Sequence, residues 1–158
     1  MNSLHRAQSR AKRHPATLPK FWLPKLDEGT QREAQIIHWD LVTRFTDGTA
    51  TSQDLWDWME TGFTYTQMMR LLIEDGVDFT PEAQESLAAQ LGTYEQIIAR
   101  YRRTQRVAFN GPEYLIAKAA ANVMDALIEL DRHGIAERAV RWSMAQMANM
   151  PRFAGEVS

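Results

Sequence analysis

The side chains able to do chemistry in this chain are few and scattered. The four histidines are His5, His14, His38 and His133; no pair of them has the spacing of a metal-binding helix, and no H-E-x-x-H occurs. There is no cysteine, which removes thiolate nucleophiles, disulfides and Cys-based zinc sites together. The nucleophile elbow G-x-S-x-G, the phosphate-binding Walker A loop and the dinucleotide fingerprint G-x-G-x-x-G are also missing. Carboxylate pairs stand at Asp54 and Asp57 and at Glu82 and Glu85; on helices of an acidic protein such pairs read as a solvated face. The expectation is a non-enzyme, with no catalytic residue, no cofactor site and no metal ligand, and with His38 as a structural or exposed histidine.

Binding chemistry is better represented. Leu55-Trp56-Asp57-Trp58-Met59 and Met68-Met69 concentrate large apolar side chains. Trp56 and Trp58 lie about 200° apart on a helix, so either one fills the core with the other at or near the surface, or the helix is sandwiched and both are buried. Exposed Trp and Met are typical interface anchors. Asp54, Asp57, Trp56, Trp58, Met68 and Met69 are therefore the expected partner-binding set. Residues 51–78 also have the spacing of a helix-turn-helix, with Thr64, Tyr65, Thr66 and Gln67 opening the second helix. Trp58 falls where that motif wants a small residue, and six acids against Arg70 alone would repel phosphate. Arg100, Arg102, Arg103 and Arg106 close a helix, where cations complement the dipole and could contact an anion.

Charge divides the chain. Residues 1–25 hold Arg6, Arg10, Lys12, Arg13, Lys20 and Lys25 and no acid. From Asp27 to Glu95, 14 acids face Arg32, Arg44 and Arg70. Pro15, Pro19 and Pro24 make the first 25 residues an extended basic tail, and residues 26–158 the helical domain. The tail reads as a solubilising extension, a phosphate-contacting arm, or a segment packed on its own acidic body through Phe21, Trp22 and Leu23.

The elements that would position these residues are helices. Thr30-Gln31-Arg32-Glu33 reads as a capping box, followed by Ala34, Ile37, Leu41 and Phe45, with Ile36 and Val42 beside them, and a stop at Asp47-Gly48. A second helix starts at Thr51-Ser52 and ends at Gly62; a third runs from about Thr64 to Asp75 before Gly76. A fourth opens at Thr80-Pro81 and runs through Leu87, Leu91, Tyr94 and Ile98 to Arg103, passing over Gly92. After Asn110-Gly111-Pro112, a fifth carries Leu115, Ala119, Val123, Leu127 and Leu130, and a sixth carries Ala139, Val140, Ser143 and Met147 before Pro151. No segment alternates with period two. The fold expected is all-α, a single five- or six-helix bundle-like domain in which the fourth and fifth helices pair. With 44% hydrophobic residues a core is assured, and no apolar run approaches the length that spans a bilayer. A cytoplasmic protein is expected, with no membrane contact.

Arg100-x-x-Arg103-Thr104, Asn110-Gly111-Pro112-Glu113, Asp125 and Arg138 carry a resemblance. The stretch from Ser86 to Met147 resembles small uncharacterised helical proteins of proteobacterial phages, plasmids and integrated elements. That group has Gly and Trp where this chain has Gln105 and Val107. The resemblance implies an accessory of a mobile element. Small acidic proteins from that setting resemble nucleic-acid mimics and inhibitors of host defence, anti-CRISPR proteins included. The expected function is thus a protein-binding accessory that blocks a bacterial protein or nucleoprotein complex. The alternative is a nucleic-acid-binding accessory using the basic arm and the Arg100–Arg106 cluster. Self-association into a homo-oligomer stays open.

Overall fold

The computed structural model describes residues 26–151, so the expectations for the tail, with its three prolines and its Phe21-Trp22-Leu23 anchor, lie outside the described residues. Those described are all-helical. Six helices follow in order: α1 Glu28–Asp47, α2 Ser52–Glu74, α3 Pro81–Gly92, α4 Tyr94–Thr104, α5 Gly111–Glu129 and α6 Ile135–Ala148. The central helix α2 packs on α6 and on α3, and α5 packs on α3 and on α1. One apolar core joins them, with Phe45, Trp58, Leu72, Leu87, Met124 and Ile135 fully buried.

The caps explain most helix starts. Thr51 and Asp54 form a reciprocal capping box on α2, and Asn110 and Glu113 form another on α5. Thr80 caps α3, with Pro81 just inside, as expected. At α1 the box expected at Thr30 is not used. Asp27 accepts the Thr30 N–H at 2.8 Å, so the helix begins one turn earlier; Thr30 is then inside it and buried. Gly48, at φ 74°, ends α1 in the left-handed conformation that glycine adopts without cost.

Two boundaries differ from the sequence expectation, and one contact explains both. The expected second and third helices are a single helix, α2, that runs through Gly62, which removes the helix-turn-helix. The expected fourth helix is broken instead, at Gly92-Thr93, into α3 and α4. Gly62 is glycine because Tyr94 and Gln90 approach it; a Cβ there would lie 1.9 Å from the Tyr94 hydroxyl. Tyr94 Oη donates to the Trp58 carbonyl at 3.0 Å and accepts from Gln90 Nε2 at 2.5 Å. The break lets Gln90 and Tyr94, one on each side of it, converge on the backbone of α2.

The buried stripes also shift. On α5 the buried apolar residues are Ala117, Ala120, Ala121, Met124, Leu127 and Ile128, while Leu115 and Leu130 of the expected stripe are exposed and Val123 is half-buried. The alanines let α1 and α3 come close, so small size rather than hydrophobicity marks that face. On α1, Ile36 and Ile37 are 63% and 59% exposed, whereas His38 is fully buried.

Candidate functional site

A pocket of about 390 Å³ opens between α1, α2 and α6. Its apolar wall comes from Ala34 and Ile37 on α1 and Val140 on α6. Glu33 on α1 and Asp57 and Glu60 on α2 bring three carboxylates to it, and among the described residues no lysine or arginine lines it. Asp57, Glu60, Thr61 and Thr64 belong here because spacings of three and four place them on one helical face.

The deep end is built by His38 and Tyr65, edge to face with ring centroids 5.6 Å apart. Asp125 on α5 fixes the histidine: its carboxylate lies 2.7 Å from His38 Nε2 and accepts the Trp39 indole N–H at 2.8 Å. Burial drives the His38 pKa below its ordinary value, against the opposing pull of Asp125 and of the Ala34 carbonyl. The ring is therefore neutral at pH 7, with its proton on Nε2 toward Asp125. Nδ1 is buried and has no hydrogen-bond partner among the described residues. Burial likewise raises the Tyr65 phenol.

Thr61 Oγ1 donates to the Asp57 carbonyl at 2.7 Å, so its oxygen keeps only lone pairs for a visitor. The Thr64 hydroxyl lies 2.9 Å from the Glu60 carbonyl and 2.5 Å from Ser143 Oγ. Partial burial, and then the charge of Asp57, push the Glu60 carboxyl above its ordinary pKa. Among the described residues, Glu33, Asp57 and Glu60 form no ion pair; Asp57 accepts only the Gln53 amide, at 2.8 Å.

The residues expected to bind a partner separate into different settings. Trp58, Met68 and Met69 are core, while Trp56 is half-buried against that core. Asp54 is not an open surface charge: it is 8% exposed, completes the α2 capping box and lies 3.1 Å from Arg44. Asp57 alone of that set lines the pocket. The pocket's other members, Glu33, His38, Glu60, Thr61 and Thr64, come from helices whose relative placement no local pattern reveals. The unbroken run of α2 was the missing signal for joining Asp57 to Thr64.

The arginine cluster also divides. Arg100 forms a two-pronged ion pair with Glu113, both bonds 2.8 Å, and donates to the Ala108 carbonyl at 2.9 Å. Burial raises the Glu113 pKa, but the hydrogen bonds from Arg100 and the Asn110 N–H outweigh it and hold the carboxyl below its ordinary value. Arg102, Arg103 and Arg106 are exposed and make no ion pair among the described residues. Four of the residues that carry the mobile-element resemblance serve the scaffold: Arg100, Asn110 and Glu113 shape the α4–α5 connection, and Asp125 ties α5 to α1. Among the described residues no group of three or more His, Asp or Glu could hold a metal ion, and no helix is long and apolar enough to cross a membrane. No protein-family model, curated protein or solved structure matches the chain.

Proposed function

We propose that this chain is a non-catalytic binding protein that places the acidic face of α1 and α2 on a basic site of a macromolecular partner, as an accessory of a mobile element that blocks a bacterial protein or nucleoprotein complex, in the manner of an anti-CRISPR protein. One observation carries the reading. The open pocket is rimmed by Glu33, Asp57 and Glu60 with no cation lining it among the described residues, and the exposed Ile37 forms part of its wall. A solvated acidic face needs no apolar recess, and an interface core does. The mobile-element setting rests on the resemblance, and the partner's charge rests on complementarity.

The test is capture of a partner from a bacterial host by the tagged full chain, followed by titration of the purified pair. Asp57→Lys with Glu60→Lys reverses charge one helical turn apart and leaves the Asp54 cap alone. The double variant should associate more slowly, and its residual binding should depend less on salt. Unchanged association at low salt would refute the acidic-face reading.

A second reading has its own support in Arg102, Arg103 and Arg106, which project near the end of α4, together with the six cations of residues 1–25. It makes the chain a nucleic-acid-binding accessory. Binding to mixed-sequence DNA that falls steeply with salt would favour it. The loss of Arg100 to Glu113 weakens the cluster as an anion site.

A further inference from the structure

Resting on the protein-binding reading above, we infer that the pocket between α1, α2 and α6 is a socket for one arginine side chain of the partner, its guanidinium among Glu33, Asp57 and Glu60 and its methylenes against Ala34, Ile37 and Val140.

The chemistry of the lining leads to this ligand class. The carboxylates accept, and the Thr61 hydroxyl has given its proton to the Asp57 carbonyl at 2.7 Å. The fully buried His38 lines the same pocket. Its Nε2 is engaged by Asp125, and its Nδ1 is left without a partner. A recess lined by three carboxylates wants a ligand that is cationic and rich in donors. Glu60 already carries the cost of partial burial beside Asp57, which a bound cation would relieve.

Between the two cationic side chains, the walls favour arginine. Guanidinium is planar, weakly hydrated and carries five donors, so it can engage carboxylates and hydroxyls together while its stem lies on apolar surface. The ammonium of lysine is compact and strongly hydrated, and loses more on entering a pocket walled by Ala34, Ile37 and Val140.

The probe is N-acetyl-arginine methylamide at millimolar concentration, titrated into the full chain and followed by amide NMR. The neutral control is the citrulline analogue, which keeps the stem and the shape but not the charge. The arginine probe should shift the Ala34, Ile37, Thr61 and Thr64 amides, and the citrulline probe should not. Glu60→Gln should weaken the arginine probe about tenfold without lowering the melting temperature, which separates lost recognition from lost folding. No shift at the pocket, or equal shifts with both probes, would overturn the socket. Changing the six cations of residues 1–25 to Gln in the full chain provides a further control. If the probe binds only after that change, the tail rather than a partner fills the socket, and the partner assignment falls. Partner capture that survives Glu60→Gln unweakened would sink the socket and leave the binding reading standing. Probe binding without any captured partner would do the reverse.

Discussion

Helix α2 presents two unlike faces within a few residues. On one, Gly62 lets Tyr94 and Gln90 close onto the backbone, Tyr94 bonds the Trp58 carbonyl at 3.0 Å, and Trp58 packs beside Phe45 and Phe109. On the other, Asp57, Glu60, Thr61 and Thr64 look into a pocket where carboxylates have no cation. Residues one position apart thus serve opposite ends. The closed face fixes the helix in place, and the open face keeps its bonding capacity for something outside the chain. A surface can hold unpaired charge in a fixed geometry only when the reverse side of the same element is tightly seated.

That contrast can be broken from either side. The largest effect is expected on the closed face. Trp58→Ala should cost about 3–5 kcal/mol, because a fully buried indole leaves a cavity, whereas Ile37→Ala at the pocket should stay within about 0.5 kcal/mol. Paired urea melts measure both, and equal costs would erase the distinction. Gly62→Ala comes next. Its added Cβ would meet the Tyr94 hydroxyl and Gln90, so overpacking of about 1–3 kcal/mol is expected. A silent Gly62→Ala would mean the seam is looser than described.

Acidity gives a smaller, diagnostic effect. The folded His38 pKa lies below 6.5, so above that pH both folded and unfolded histidines are neutral and the full stability is present. As pH falls below 6.5, the unfolded ring takes up a proton that the folded ring resists, and stability is lost through that window. Glu60 and Glu137, whose folded carboxyls are raised chiefly by burial, act in the opposite sense at lower pH. The check is therefore the difference between wild type and His38→Gln in melts from pH 7.5 to 5.5, with a flatter profile expected for the variant. The smallest effect belongs to the open face. Glu60→Gln removes a disfavoured charge, so its melting temperature at pH 7 should equal or slightly exceed that of wild type, as thermal melts would show. A clear drop would make Glu60 a structural residue.

Helix starts at Thr51, Thr80 and Asn110 were legible because a cap is a local event, read from a residue and its third neighbour. The all-helical class followed from periodicity in the same way. What stayed hidden depends on distant partners. Gly62 looks like a stop and Gly92 like a tolerated interruption; only the arrival of Tyr94 and Gln90 against α2 reverses the two. The α5 stripe misled because leucine outranks alanine in hydrophobicity, yet close helix approach selects Ala117, Ala120 and Ala121. Of the site, Asp57 alone stood out in the sequence. His38 could not, since its burial is set by Asp125, 87 residues away.

The buried Asp131 carboxylate has a role in the order of assembly. It accepts the Leu26 N–H and the Ala136 N–H, both at 2.9 Å, and so ties the root of α1 to the first turn of α6 across 105 residues. With the His38–Asp125 bond, the polar ties of the first half of α1 reach the far end of the chain, whereas Arg44 near its C-terminal end pairs with Asp54 of the neighbouring α2. Closing such long loops is entropically slow. The first half of α1 should therefore dock after the half that carries Arg44 and, in native-state hydrogen exchange, release its amides before it. The pocket's α1 wall would then come and go as a unit, so the time it spends docked, rather than any rearrangement of α2, would set how often a partner finds the pocket complete.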